Sequence, residues 1–408
     1  MNESPQWHSP AGHTGSGEGV SGAAATPPAS GVPAAPSGWT PPPKPGLIPL
    51  RPLDLGAILS AAFKTMRHNP KPTLGSALLI QGGVVVLTIG VVGLVTFLSL
   101  SRLDNATGAA KQDLLAGSIG TIALSAIIPV LLSIAASALL QGIIVLNVMR
   151  ASLGEKPRLR QLLAMARGRI WALIGWTMLI ALAVTLGFGV LALVIVLVVV
   201  VVGGVGGTVI AVLLGIVGGL GFAALWAWLS TKLSLVPSVL MAERTSIVTA
   251  LKRSWTLTNR AFWKTFGIIV LVSVIISVAT QVVTTPISII STMTVSLADP
   301  NSQNPATMIV AAVASYVVLI VVAVLFGAIG AVIQSATVAL IYIDLRMRKE
   351  GLDLDLAHFV EARQGGAVGL TDPYARADPY ARTAESAGGE PFLPTHTPLP
   401  PTNESPWT

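Results

Sequence analysis

Residues 170–231 read IWALIGWTMLIALAVTLGFGVLALVIVLVVVVVGGVGGTVIAVLLGIVGGLGFAALWAWLST, a run of 62 positions without one Asp, Glu, Lys or Arg. An α-helix crosses the ~30 Å hydrocarbon core of a bilayer in about 20 residues, so the run is long enough for two crossings. Gly203-Gly204-Val205-Gly206-Gly207, near its middle, supplies the backbone freedom for a tight turn between them.

Four further runs lack formal charge: 72–101, 114–149, 265–298 and 300–343. A charge at the centre of a span costs ~2.5–3.5 kcal/mol on insertion, so such runs mark crossings. Together they predict six spans, near 74–100, 118–146, 170–201, 208–231, 266–293 and 310–341. Charged residues are only 11% of the chain and hydrophobic residues 52%, more apolar surface than a water-soluble fold can bury.

The formal charge of +7 suits either nucleic acid or an anionic membrane face. Position decides, because the cations sit beside the apolar runs, and no nucleic-acid partner is expected. Ahead of the first span, Arg51, Lys64, Arg67 and Lys71 face Asp54, a net +3. Loop 150–169 sets Arg150, Lys156, Arg158, Arg160, Arg167 and Arg169 against Glu155, and loop 232–264 sets Lys232, Arg244, Lys252, Arg253, Arg260 and Lys264 against Glu243, each a net +5. The alternate connections carry zero, zero and −1. Lys and Arg near span ends stay inside, so both termini are expected in the cytoplasm. Heavy use of Ala, Gly, Val and Pro points to a bacterium, and hence to its plasma membrane.

Residues 1–46 are rich in Pro, Gly and Ala and are expected to be a disordered cytoplasmic tail, as are residues 366–408. Residues 47–72 read as an amphipathic juxtamembrane segment, 73–345 as the six-span domain and 346–365 as a cytoplasmic helix. No apolar stretch precedes residue 70, so targeting falls to the first span rather than to a cleaved signal. The C-terminal tail holds an exact tandem repeat, Asp372-Pro373-Tyr374-Ala375-Arg376 and Asp378-Pro379-Tyr380-Ala381-Arg382, which reads either as a docking or phosphotyrosine motif or as a slipped duplication.

A helical wheel of Ile247 to Thr258 gathers Thr249, Lys252, Arg253 and Thr256 on one polar arc opposite an apolar face that includes Trp255. Thr245 or Ser246 can cap it. A basic face opposite a Trp-bearing face suits a helix in the headgroup plane, and equally a helix packed on neighbouring spans. Loop 150–169 carries a weaker copy, with Pro157 suited to the first turn, Arg158 and Arg160 near it, and Leu159, Leu162, Leu163 and Ala166 on one side. Trp171 and Trp263 each stand four residues before a glycine and just after arginine (Arg169, Arg260). With Leu55, Ile58, Leu59, Ala62, Phe63 and Met66 also at helical spacing, the expected fold is all-α and polytopic: three transmembrane hairpins, each preceded by a cytoplasmic amphipathic helix. The candidate lipid or partner contacts are Lys252, Arg253, Trp255, Arg260, Trp263, Arg158 and Arg160. Asp344 and Arg346 are the candidate clasp that pairs the last span with the basic loops.

The segment Lys44-Pro45-Gly46-Leu47-Ile48-Pro49-Leu50-Arg51-Pro52-Leu53, together with Pro237 to Glu243, Ala250-Leu251-Lys252-Arg253-Ser254, Trp263 to Gly267, and Tyr342-Ile343-Asp344-Leu345-Arg346 continuing through Glu350-Gly351-Leu352-Asp353, resembles a group of actinobacterial membrane proteins. That group is related by similarity to the membrane domain of glycerophosphoryl diester phosphodiesterases. The resemblance covers roughly residues 44–356 and implies a membrane module without the catalytic domain.

The chemistry of that catalytic domain needs converging His, Glu and Asp. The five histidines, His8, His13, His68, His358 and His396, lie outside every expected span. Cysteine is absent, which removes thiolate metal sites, and there is no P-loop; no cofactor and no enzymatic activity are expected. A non-enzymatic module engaging anionic lipid or another membrane protein is the first expectation. A transporter or permease-like subunit is the alternative: Gln81, Gln141, Asn147, Gln281 and Gln334 are polar groups within spans or at their ends, and Pro129 with Pro286 would break a polar-lined helix pair. Gly215 and Gly219, and Gly327 with Ala331, form small faces for close helix packing.

Overall fold

A computed structural model describes residues 46–103, 109–298, 305–367 and 369–375, and every regular element among them is helical. The helices are α1 (Leu55–His68), α2 (Ser76–Leu103), α3 (Ala109–Ser125), α4 (Ile127–Ser152), α5 (Leu159–Ala166), α6 (Ile170–Val202), α7 (Gly204–Leu233), α8 (Val236–Ala242), α9 (Ile247–Thr258), α10 (Phe262–Ala298), α11 (Pro305–Glu350) and α12 (Leu352–Gln364). Six stretches are long and apolar enough to cross a membrane: Lys71–Ser99, Gly117–Ser152, Ile170–Val202, Gly204–Ala242, Phe262–Thr294 and Val310–Glu350.

Local sequence explains where the helices start and stop. Asp54 caps α1 by accepting the Ala57 amide at 2.6 Å, and Ser246 caps α9 by accepting the Thr249 amide at 3.3 Å. Pro70 and Pro72 lack an N–H, and the backbone between α1 and α2 widens into a π-turn over Lys71–Gly75. Val202 ends α6 because Gly203 and Gly204 take φ of 63° and 58°, the left-handed region that glycine enters freely. The second span, expected as one helix, is instead two: α3 stops at Ser125 because Pro129 cannot donate to the Ser125 carbonyl. Pro286 stands inside an unbroken α10, so the two prolines do not form the broken helix pair expected of a transporter.

Packing pairs α2 with α3, α6 with α7, and α10 with α11. Helices α4 and α11 also touch each other, and both touch α2, so they form the centre of the bundle. The alternation of crossings brings α1, α5, α8, α9 and α12 to one end, and there the core lies. Ile58, Ile144, Leu162, Leu235, Val236, Leu240, Leu257, Tyr342 and Leu356 are each at most 1% exposed. The opposite halves of the spans are different. Val200, Val201 and Leu220 are more than two-thirds exposed, which is compatible with helices that cross a membrane, where lipid tails supply no drive to bury such side chains. In the α6–α7 pair, the close approaches run through Gly187 against the Phe222 ring and Gly218 against Leu191. Gly215 meets only Ile195 and Gly219 nothing, so the small face expected at 215 and 219 is not the main contact.

Residues 46–53 form a strap across the end of α4: the Leu47 amide donates to the Ala151 carbonyl at 2.9 Å, and Ile48 and Leu53 are each 1% exposed. Within the segment expected as C-terminal tail, Tyr374 is 2% exposed and docked against the end of α4, and the expected tail beyond residue 375 lies outside the described residues. Pro157 lies ahead of α5 rather than in its first turn; its carbonyl accepts from Asn69 Nδ2 at 2.9 Å, and Gln161 caps the helix through the Arg158 amide at 2.8 Å.

Candidate functional site

Five helices close one end of the bundle, and charge organises that cap. Glu243, at the C-terminus of α8, has a side chain at 0% exposure, and both its oxygens accept from Arg253 Nε at 3.0 Å. It also accepts from the Tyr342 hydroxyl at 2.9 Å. Arg346 donates to that hydroxyl at 3.1 Å and to Glu350 at 3.0 Å, and Glu350 closes the circuit on the Arg253 guanidinium. Burial pulls the Arg253 guanidinium toward its neutral form, but Glu243 and Glu350 outweigh it and its pKa is raised. Arg253, on the polar arc of the helical wheel, is therefore part of the scaffold. The arc is wide enough that its inner edge meets α11, the packed alternative that the wheel left open.

The clasp residues separate. Asp344, 1% exposed, accepts from Lys264 Nζ at 2.6 Å, from Arg348 Nε at 2.9 Å and from the Leu53 amide at 2.8 Å, tying α10, α11 and the strap together. Arg346 turns instead to Tyr342, Glu350 and the Tyr374 carbonyl at 3.0 Å. Lys349 donates to the carbonyls of Thr256, Leu257 and Asn259 and so caps the C-terminus of α9.

A second set of cations stays outside this network. Arg158, Arg160, Arg167, Arg244, Lys252 and Arg260 are exposed, and among the described residues none pairs with a carboxylate. Trp263 and Trp171 are each 79% exposed. Trp255 is 41% exposed; its inner edge packs on Trp228 at 5.3 Å, and Lys232 Nζ sits 5.2 Å from its ring centroid. Arg244 and Arg260 share a further property, φ of 55° and 64°. A side chain with a Cβ is strained there, where Gly or Asn is the usual residue at a helix end.

A cavity of about 560 Å³ lies away from the cap, between α2, α4 and α11. Gln81, Ser137, Gln141, Gln334 and Ser335 line it among apolar residues. Each glutamine stands nine or ten residues from the charge ending its span, Lys71, Arg150 or Asp344, which is roughly 14–15 Å along a helix. Pro129 and Pro286 are not among the lining residues, and Asn147 lies closer to the cap, where its Oδ1 accepts from Asn69 at 3.3 Å.

Fold and site define a helical protein with six stretches able to span a membrane and an ion-paired cap at one end. Over residues 53–344 the sequence matches the family described as Domain of unknown function (DUF7847), and the chain belongs to that family. No curated protein and no solved structure matches it.

Proposed function

We propose that this is a non-enzymatic multi-pass module of a bacterial plasma membrane, with both termini cytoplasmic, that engages anionic lipid headgroups through the capped end. The observation that carries this reading is the division of the cations. Arg253, Lys264 and Arg346 are matched by carboxylates inside the scaffold, while Arg158, Arg160, Lys252 and Arg260 are left exposed, and Trp263, three residues after Arg260, is 79% exposed. Exposed cations not paired with a carboxylate, in a chain that also exposes an indole, suit an anionic headgroup layer. The expected plan of three hairpins, each entered through an amphipathic helix, is supported by α1, α5 and α9 each preceding a span. Pro237 to Glu243, Ala250 to Ser254 and Tyr342 to Arg346, which carry the resemblance to the phosphodiesterase membrane domain, are also the segments that build the ion network.

Reporters fused after residues 107 or 303 should read as external and those after 160 or 250 as cytoplasmic; a cytoplasmic reading at 303 overturns the orientation. In nanodiscs of mixed anionic and neutral lipid, the purified protein should enrich the anionic species around itself. Arg158→Gln, Arg160→Gln, Lys252→Gln and Arg260→Gln should each cost about fivefold at low salt, with the loss fading as ionic strength rises. Equal enrichment in the combined variant would reject headgroup binding.

The cavity favours a second reading, a carrier for a neutral ligand. Three amides and nearby hydroxyls at one depth, without a formal charge, suit a molecule with both hydrogen-bond donors and acceptors. Gln81→Leu with Gln141→Leu would abolish such a carrier's binding and leave headgroup enrichment intact.

A further inference from the structure

The docked tail segment is a compact recognition element. Asp372 Oδ1 accepts its own Tyr374 amide at 3.1 Å, and the Ala375 amide donates to the Asp372 carbonyl at 3.0 Å, closing a β-turn with proline at its second position. The other Asp372 oxygen takes Arg150 Nη2 at 2.5 Å. Tyr374 is 2% exposed and lines a small cavity together with Leu146, Met149, Met165 and Met241; its hydroxyl bonds Ser152 and its carbonyl accepts from Arg346. Burial pushes the phenol above its ordinary pKa of 10.0, as expected of a ring seated neutral.

Every group used here belongs to Asp-Pro-Tyr-Ala, and the same four residues recur as Asp378-Pro379-Tyr380-Ala381. The turn forms from its own atoms, so the second copy carries the same instructions for shape and the same carboxylate and phenol. We propose that the seat formed by Arg150, Ser152 and Arg346 is a binding site for the Asp-Pro-Tyr-Ala turn as such, and that residues 378–381 are its second ligand, giving the C-terminal segment two docking registers. Moving from the first register to the second nearly doubles the loop from the end of α12 at Gln364. Loop closure then disfavours the second register by only about 2.5-fold, so it holds the seat in between about a quarter and a third of molecules. A protein that reads the tail would meet one free copy of the motif whichever register is occupied.

The chain has four tyrosines, Tyr316, Tyr342, Tyr374 and Tyr380, which suits ¹⁹F NMR of full-length protein labelled with 3-fluorotyrosine in nanodiscs. A water-soluble paramagnetic quencher should reach Tyr374 only in the minority register. Tyr380 should be protected by about a quarter to a third relative to a free peptide of the same sequence. Asp378→Ala, which leaves the first copy untouched, should free Tyr380 completely and complete the protection of Tyr374. Tyr374→Ala should move Tyr380 to the protected position, with buried Tyr342 unchanged as the sign that the cap is folded. A Tyr380 fully open in the unmodified protein and insensitive to Asp378→Ala overturns the shared seat, whether or not the Tyr374 variant folds.

Discussion

Glu243→Ala should destabilise the protein by ~3–5 kcal/mol, the range for removing one partner of a buried ion pair and leaving the other unmatched. Glu243 is fully covered, and it is the acceptor for both Arg253 Nε and the Tyr342 hydroxyl. Without it, two guanidiniums at 14% and 6% side-chain exposure share Glu350 alone. The effect should appear as a large fall in thermal midpoint in detergent. Glu243→Leu combined with Arg253→Met should recover much of it, since an apolar pair of similar volume avoids burying charge. A Glu243→Ala protein with an unchanged midpoint would show that the network contributes nothing to the fold.

Gly46→Ala should release the N-terminal strap. A Cβ at residue 46 would stand 2.3 Å from the Ala151 carbonyl oxygen, 2.6 Å from the Ser152 carbonyl oxygen and 2.6 Å from the Gly154 nitrogen. All three are backbone atoms of the α4 end and the turn after it, so no side chain can swing aside to make room. Displacing the strap exposes Ile48 and Leu53, each worth ~1.5–3 kcal/mol when fully buried, and removes the Leu53 amide from Asp344. Proteolysis between residues 46 and 53 should become fast in Gly46→Ala and stay slow in the parent. Equal protection would mean that the strap is not held where it lies.

The spans and α9 were legible because their signals are local. Absence of charge over 20 or more residues marks a crossing, and the bounds Ile247–Thr258 follow from one wheel and one capping serine. The ion network was not legible, since Glu243 and Tyr342 lie 99 positions apart and a count of loop charges treats Glu243 only as one negative among cations. For the same reason Arg253 and Lys252 share one polar arc on the wheel, while the fold pairs Arg253 with Glu243 and Glu350 and leaves Lys252 exposed. Tyr374 escaped composition because its surroundings are low in complexity; the exact repeat was its signal. The glutamine layer needed three helices brought side by side before Gln81, Gln141 and Gln334 could be seen at one depth.

Arg244 and Arg260 allow binding to be separated from folding. Both are exposed and both hold a positive φ that glycine adopts more easily. Arg244→Gly with Arg260→Gly should therefore leave thermal stability unchanged or raised while reducing enrichment of anionic lipid in nanodiscs, most strongly at low salt. A variant that keeps its full preference for anionic lipid would contradict headgroup engagement by the exposed cations and leave them as solvated charge.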